Sequence, residues 1–137
     1  MQEGMMGDRC DVLVVDDEPV VRDAVRLVLG HEGFVVAEAP DAERGLAHPA
    51  LEHCRLVLCD LMLPGQSGLE LVRAIRAARP ELPIVMITGY ATDANADRAL
   101  EEGATAFLAK PFDDSELLTL VRQVLARTSA AGEDVKP

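Results

Sequence analysis

Five times along the chain, a short unbroken apolar run gives way to a longer stretch of helical periodicity. The runs are Val12-Leu13-Val14-Val15, Phe34-Val35-Val36-Ala37, Leu56-Val57-Leu58-Cys59, Ile84-Val85-Met86-Ile87 and the segment Thr105–Ala109. A strand with one face in water alternates apolar and polar residues. Continuous runs fit strands of a parallel sheet covered on both faces. The segments between them predict helices over 19–31, 41–48, 68–78, 92–102 and 113–127. Pro19 sits in a first turn, where its missing N–H costs nothing. The third helix stops before Arg79-Pro80. Gly103 supplies a left-handed cap to the fourth, and Ser115 or an Asp just before it caps the fifth. Alternation of this kind predicts an α/β fold, a doubly wound parallel sheet in three α/β/α layers. The 137 residues leave room for one domain. Its expected span is 8–127, with a flexible N-terminus at 1–7 and a flexible tail or linker stub at 128–137.

Composition narrows the function classes. Thirteen Lys and Arg stand against 24 Asp and Glu, a net charge of −11, which argues against direct nucleic-acid binding by this domain. No apolar run approaches the length of a membrane span and no signal peptide is visible, so a cytoplasmic domain without membrane contact is expected. Cys10, Cys54 and Cys59 are odd in number and lack CxxC spacing, a poor basis for disulfides or zinc.

In a doubly wound sheet, ligands bind beyond the carboxyl ends of the strands. The first run is followed by Asp16, Asp17 and Glu18, the third by Asp60, the fourth by Thr88-Gly89 and the fifth by Lys110-Pro111. Singly, such residues are most simply solvated or capping. Together they gather three aspartates, a hydroxyl and an ammonium on one rim. Clustered carboxylates raise one another's pKa values unless a cation offsets their repulsion. Oxygen ligands favour Mg²⁺, Mn²⁺ or Ca²⁺ over zinc, and a site with few carboxylates and room for water suits Mg²⁺. The other groups suit phosphoryl chemistry. A carboxylate can attack phosphorus, Lys110 can neutralise phosphoryl charge, and Thr88 can donate to a phosphoryl oxygen.

Four motifs carry a resemblance to a known family: Val15-Asp16-Asp17-Glu18-Pro19, the run from Asp60 to Gly68 (DLMLPGQSG), Thr88-Gly89-Tyr90-Ala91, and Phe107-Leu108-Ala109-Lys110-Pro111-Phe112. In that order, the chain resembles the receiver domains of two-component response regulators over about residues 10–127. The resemblance implies a flavodoxin-like (βα)5 fold with strand order 2-1-3-4-5. It implies that Asp60 is the phosphoacceptor. Mg²⁺, or Mn²⁺, would be held by the carboxylates of Asp17 and Asp60 and the backbone carbonyl of Met62, with Asp16 in the same pocket acting partly through water. Lys110 would bond the phosphoryl group, its bond to Pro111 being cis. Thr88 and Phe107 would form a switch pair. The Thr88 hydroxyl is drawn to the phosphate, Phe107 fills the vacated space, and the surface of the last two βα units shifts.

Three positions depart from or vary within the family pattern. Phe107 stands where Tyr is frequent, which removes a hydroxyl. Leu63 replaces a frequent Met. Met62 and Tyr90 supply no carboxylate or amide to orient water, so unusually fast self-hydrolysis is not expected. The phosphodonor implied is a histidine kinase or histidine phosphotransfer domain docked beside the first helix. There Val20, Ala24 and Leu27 form an apolar stripe next to the sheet-facing Val21, Val25, Val28 and Leu29. The output partner has no signature in the sequence, and either a monomer or a phosphorylation-dependent dimer is compatible with it. Asp93, Asp97, Glu101 and Glu102 read as a solvated helix face, His31, His48 and His53 as surface or loop residues, and Cys59 as core.

These features favour a switch over an enzyme that turns over external substrate. One alternative is a phosphorylation-independent interaction module on the same fold. A haloacid-dehalogenase-like phosphatase is less favoured, because Glu18 stands two places after Asp16 where a second Asp is needed. A flavin binder would need a phosphate-binding Ser/Thr/Gly loop after the first strand, where the chain has acids.

Overall fold

The computed structural model describes residues 9–135. The expected flexible segment 1–7 lies outside them. Strands β1 (Val12–Val15), β2 (Val36–Ala39), β3 (Leu56–Asp60), β4 (Ile84–Thr88) and β5 (Ala106–Ala109) alternate with helices α1 (Pro19–His31), α2 (Ala42–Ala47), α3 (Gly68–Ala78), α4 (Asp93–Glu101) and α5 (Asp114–Val135). All strands pair in parallel, in the order β2-β1-β3-β4-β5. This is the flavodoxin-like (βα)5 topology expected.

Strand pleating divides the core in two. Val12, Val14, Leu56, Leu58, Val85 and Ile87 face one way and bury against Val25 and Leu29 of α1 and Leu117, Val121 and Val124 of α5. Leu13, Val15, Val57, Cys59, Ile84 and Met86 face the other, against Leu71, Val72 and Ile75 of α3 and Ala99 of α4. Residues of alternate parity along one strand therefore feed two separate apolar layers. This is why the central strands read as unbroken apolar runs.

Several boundaries differ from the sequence reading. β2 begins at Val36 and reaches Ala39, two residues later than expected. The Asp11 carboxylate accepts from the Val35 N–H at 2.8 Å, and the Val35 carbonyl takes the Asp11 and Val12 N–H groups. Regular pairing starts only at Val36, opposite Val12. Glu38 lies on this edge strand and pairs with Arg22 and Arg26 of α1. α5 continues to Val135, past Arg127 and through most of the expected tail. Thr128 to Ala131 contain no proline and nothing else that must stop a helix.

Two small elements were not anticipated. Pro49–Glu52 form one turn of 3₁₀ helix, and Met62–Leu63 pair antiparallel with Gln66–Ser67. The hairpin turn is Pro64-Gly65, with Gly65 at φ +75°. A Pro-Gly pair is the sequence signal for such a turn.

α4 and α5 end and begin as their residues dictate. Gly103 takes φ +116° after α4. Asp113 caps α5, its carboxylate accepting from the Glu116 N–H at 2.8 Å while Glu116 accepts from the Asp113 N–H at 2.9 Å. That reciprocal pair is a capping box.

Candidate functional site

The carboxyl ends of β1, β3, β4 and β5 open into one cleft of about 710 Å³. Its lining includes Asp17, Asp60, Thr88 and Lys110, with Val20, Val21, Tyr90 and Phe112 at its apolar side. Carboxylate oxygens of Asp16, Asp17 and Asp60 lie within 4.8 Å of one another. Asp16 is fully buried and Asp60 nearly so, whereas Asp17 is exposed. β3 includes Asp60 as its last residue, so sheet hydrogen bonds hold the acid in place. Its Oδ1 accepts from the Met62 N–H at 3.1 Å.

Lys110 crosses the cleft from the end of β5. Its Nζ lies 3.0 Å from Asp60 Oδ2, 2.9 Å from Asp16 Oδ2 and 2.8 Å from Glu18 Oε1. The Lys110 backbone N–H donates to the Thr88 carbonyl at 2.8 Å. The Lys110–Pro111 peptide is cis, as the resemblance implied. Burial acts to lower the Lys110 pKa. Its ion pairs with Glu18, Asp16 and Asp60 outweigh that and hold it raised, so the ammonium stays charged.

Asp16 is raised above the usual carboxylate range, first by burial and also by the charge of Asp60. The Glu18 N–H and Lys110 oppose that rise. Asp16 Oδ1 accepts from the Glu18 N–H at 2.8 Å. Its buried Oδ2 accepts no well-angled hydrogen bond, although Lys110 is near. An under-bonded buried oxygen beside two more carboxylates is what a small divalent cation would satisfy, so the donor set fits Mg²⁺. Asp16, Asp17, Asp60 and the Met62 segment are the groups placed to hold it.

Thr88 is fully buried at the end of β4 and its Oγ1 accepts from the Tyr90 N–H at 3.1 Å. Phe107, opposite Met86 in the neighbouring strand, is half-buried against the α3 and α4 side of the core. Pleating puts Thr88 and Phe107 on the same face. The stripe on α1 is open: Val20 is 78% and Leu27 63% exposed, while Ala24 is half-buried. His31 and His53 are exposed, and half-buried His48 caps the 3₁₀ turn through Nδ1. Buried Cys59 is held far above the usual thiol pKa by burial and then by the charges of Asp60 and Asp16.

Two residues gained importance only in the structure. Glu18 was read as one more acid, yet it is a direct partner of Lys110. The sequence offers Gly68 as a helix start and as the end of the DLMLPGQSG run, with no sign that it must be a glycine. A Cβ there would fall on the Asp60 carbonyl oxygen and 2.8 Å from Leu61 Cα.

The chain matches the response regulator receiver domain family over residues 12–122. It belongs to that family. It is 37% identical over 127 residues to the transcriptional regulatory protein CseB of Streptomyces coelicolor, covering 93% of this chain and 54% of that protein. The receiver thus spans about half the length of the curated relatives it matches first. Among solved structures, a CheY-like receiver domain protein from Methanospirillum hungatei superposes with TM-score 0.82 at 32% identity, covering 89% of this chain and 98% of that one. The receiver domain of NtrX from Brucella abortus gives TM-score 0.79 at 39% identity, covering 85% and 98%. Receiver domains of response regulators interact with histidine kinases and output domains. Among the described residues, no helix of this receiver is long and apolar enough to cross a membrane.

Proposed function

We propose that this receiver is a phosphorylation-dependent switch that takes a phosphoryl group from a histidine kinase or histidine phosphotransfer domain onto Asp60. The observation that carries the reading is the Lys110 ammonium 3.0 Å from Asp60 Oδ2, beside the aspartate cluster in a solvent-open cleft. A carboxylate oxygen of Asp60 forms the new bond to phosphorus. The P–N bond of the donor phosphohistidine breaks with its electron pair left on the imidazole nitrogen. The product is an acyl phosphate. Such in-line transfer asks for positioning and charge neutralisation more than for covalent help.

Lys110 supplies a fixed positive charge beside the incoming phosphoryl oxygens. Asp16, Asp17 and Asp60 would hold Mg²⁺ with the Met62 carbonyl, and the ion when bound neutralises phosphoryl charge. Thr88 then trades its Tyr90 N–H contact for a bond donated to a phosphoryl oxygen. Phe107, half-buried on the same face, follows it inward and moves the β4-α4-β5-α5 surface that an output partner or domain reads. Val20, Ala24 and Leu27 offer the donor an exposed apolar edge beside the cleft. On this reading the domain is not a turnover enzyme, acts in the cytoplasm without touching nucleic acid itself, and works as a monomer or a phosphorylation-dependent dimer.

Incubation with Mg²⁺ and acetyl phosphate, read by intact mass, tests the proposal. One phosphoryl gain in the wild type and none in Asp60→Asn supports it. Equal labelling of Asp60→Asn would move the acceptor elsewhere.

A further inference from the structure

Glu18 is the one Lys110 partner that stands outside the aspartate cluster. Its carboxylate is 58% exposed, at the N-cap position of α1, where it makes no capping bond with its side chain. It is nonetheless 2.8 Å from Lys110 Nζ, the shortest of the three contacts. The ammonium hydrogen-bonds the carboxylates of Glu18 and Asp60 and lies 2.9 Å from Asp16 Oδ2 as an ion pair, so three anionic groups surround it. Two of those three belong to the group that fits a divalent ion. The ammonium therefore occupies carboxylate oxygens that an ion would need.

We infer that Glu18 is the holding partner of Lys110: when a divalent cation takes Asp16 and Asp60, Glu18 keeps the displaced ammonium at the cleft mouth, where a phosphoryl group arrives. This rests on the reading of the cleft as a cation and phosphoryl site. The physical argument concerns alternatives. Before the ion binds, Glu18 is one of three anionic partners and its loss leaves two. Afterwards it is the sole carboxylate left to a half-buried ammonium that also faces a divalent charge. Its loss then leaves a desolvated cation unpaired, which is the expensive case. Removing Glu18 thus disfavours the ion-bound state more than the free one. Glu18 is a positioning residue, acting on the ion through Lys110.

That indirectness defines the test. Mg²⁺ affinity is measured by calorimetry, without any phosphodonor, for the wild type, Glu18→Gln, Lys110→Met and the double variant. Met keeps the stem of the lysine and drops its charge. Glu18→Gln is expected to weaken Mg²⁺ binding about three- to tenfold in the wild-type background and less than about twofold beside Lys110→Met, since residues acting through one another do not add.

A second readout follows the ammonium itself. The sequence has only two lysines, Lys110 and Lys136, so the ¹⁵Nζ signals are nearly free of overlap. With Mg²⁺ bound, the Lys110 signal should stay protected from exchange in the wild type and broaden in Glu18→Gln. Equal Mg²⁺ affinity of wild type and Glu18→Gln would overturn the inference. So would an equal loss in both backgrounds, which would mean that Glu18 acts on the ion by its charge alone. Failure of the wild type to bind Mg²⁺ at all would instead overturn the underlying reading of the cleft.

Discussion

Gly68 shows how one side chain, or its lack, sets the position of the acceptor. α3 starts against the end of β3, with the Gly68 N–H donating to the Leu61 carbonyl at 2.8 Å. Gly68→Ala would drive a methyl into the Asp60 carbonyl and the Leu61 backbone. Neither is a flexible side-chain end, so the helix start must move. The expected cost is about 1–3 kcal/mol by chemical denaturation, together with slower Asp60 labelling. Wild-type stability in this variant would show that the close approach is easily relieved.

Lys110 gives a pH prediction at the same scale. Its folded pKa is raised above the unfolded value, with the carboxylates overriding burial. The folded state therefore binds that proton more tightly. The stability it lends is fully present below about pH 10.4, the ordinary lysine value, and is lost as pH rises through the folded one. The difference in Tm between the metal-free wild type and Lys110→Met should be constant from about pH 8 to 10 and shrink above that. A difference that grows above pH 10 would contradict the assigned ion pairs.

At the scale of elements, α1 carries two apolar surfaces with different duties. Val25 and Leu29 are fully buried against the sheet, while Leu27, on the adjoining stripe, stays exposed beside half-buried Ala24. An amphipathic helix needs one such stripe for the core, and the second is surplus to it. Leu27 does not line the cleft. Leu27→Glu is therefore expected to slow phosphoryl transfer from a histidine-bearing protein donor about tenfold, the effect of losing a modest hot spot, and to leave acetyl phosphate labelling unchanged. Equal rates from both donors would remove the stripe from the docking surface. α4 is tied from its far end. Arg73 Nε pairs with Glu102 at 2.8 Å, and Arg76 donates to the carbonyls of Leu82 and Gly103 at 2.7 and 2.6 Å. The acidic face of α4 is accordingly solvated at Asp93, Asp97 and Glu101 but anchored at Glu102.

At the scale of the whole molecule, the folded chain concentrates negative charge where an unfolded chain would spread it. Asp16 and Asp17, just after β1, meet Asp60 at the end of β3, 44 residues from Asp16 in sequence, with carboxylate oxygens within 4.8 Å of one another. Only the folded state offers this donor set, so Mg²⁺ should stabilise by mass action. At a concentration about 100 times its Kd the gain is about 2.7 kcal/mol, visible as a rise of several degrees in Tm. Asp16→Asn combined with Asp60→Asn should abolish that rise. An unchanged Tm in the wild type at saturating Mg²⁺ would count against the donor set.

The five apolar runs, the helix stops at Arg79-Pro80 and Gly103, and the acids and lysine at strand ends were all local features. Local periodicity and punctuation carry secondary structure, and strand ends open on one rim in this topology, so the fold class and the gathering of Asp60, Thr88 and Lys110 at one cleft were legible in the sequence. The start of β2 was not, because Asp11 holds Val35 through a contact 24 residues away. Nor did residue type and spacing show which of Asp16 and Asp17 is buried: adjacent residues point opposite ways at a strand end, and Asp16 is the buried one. The part Glu18 plays appears only when the sheet brings the ends of β1 and β5 to one cleft, with two strands between them, where Lys110 reaches across 92 residues of sequence to its carboxylate. Residue type and spacing decide what a segment forms and which chemistry it carries. Which carboxylate meets which ammonium depends on register and side-chain reach across strands, and that only the tertiary structure decides.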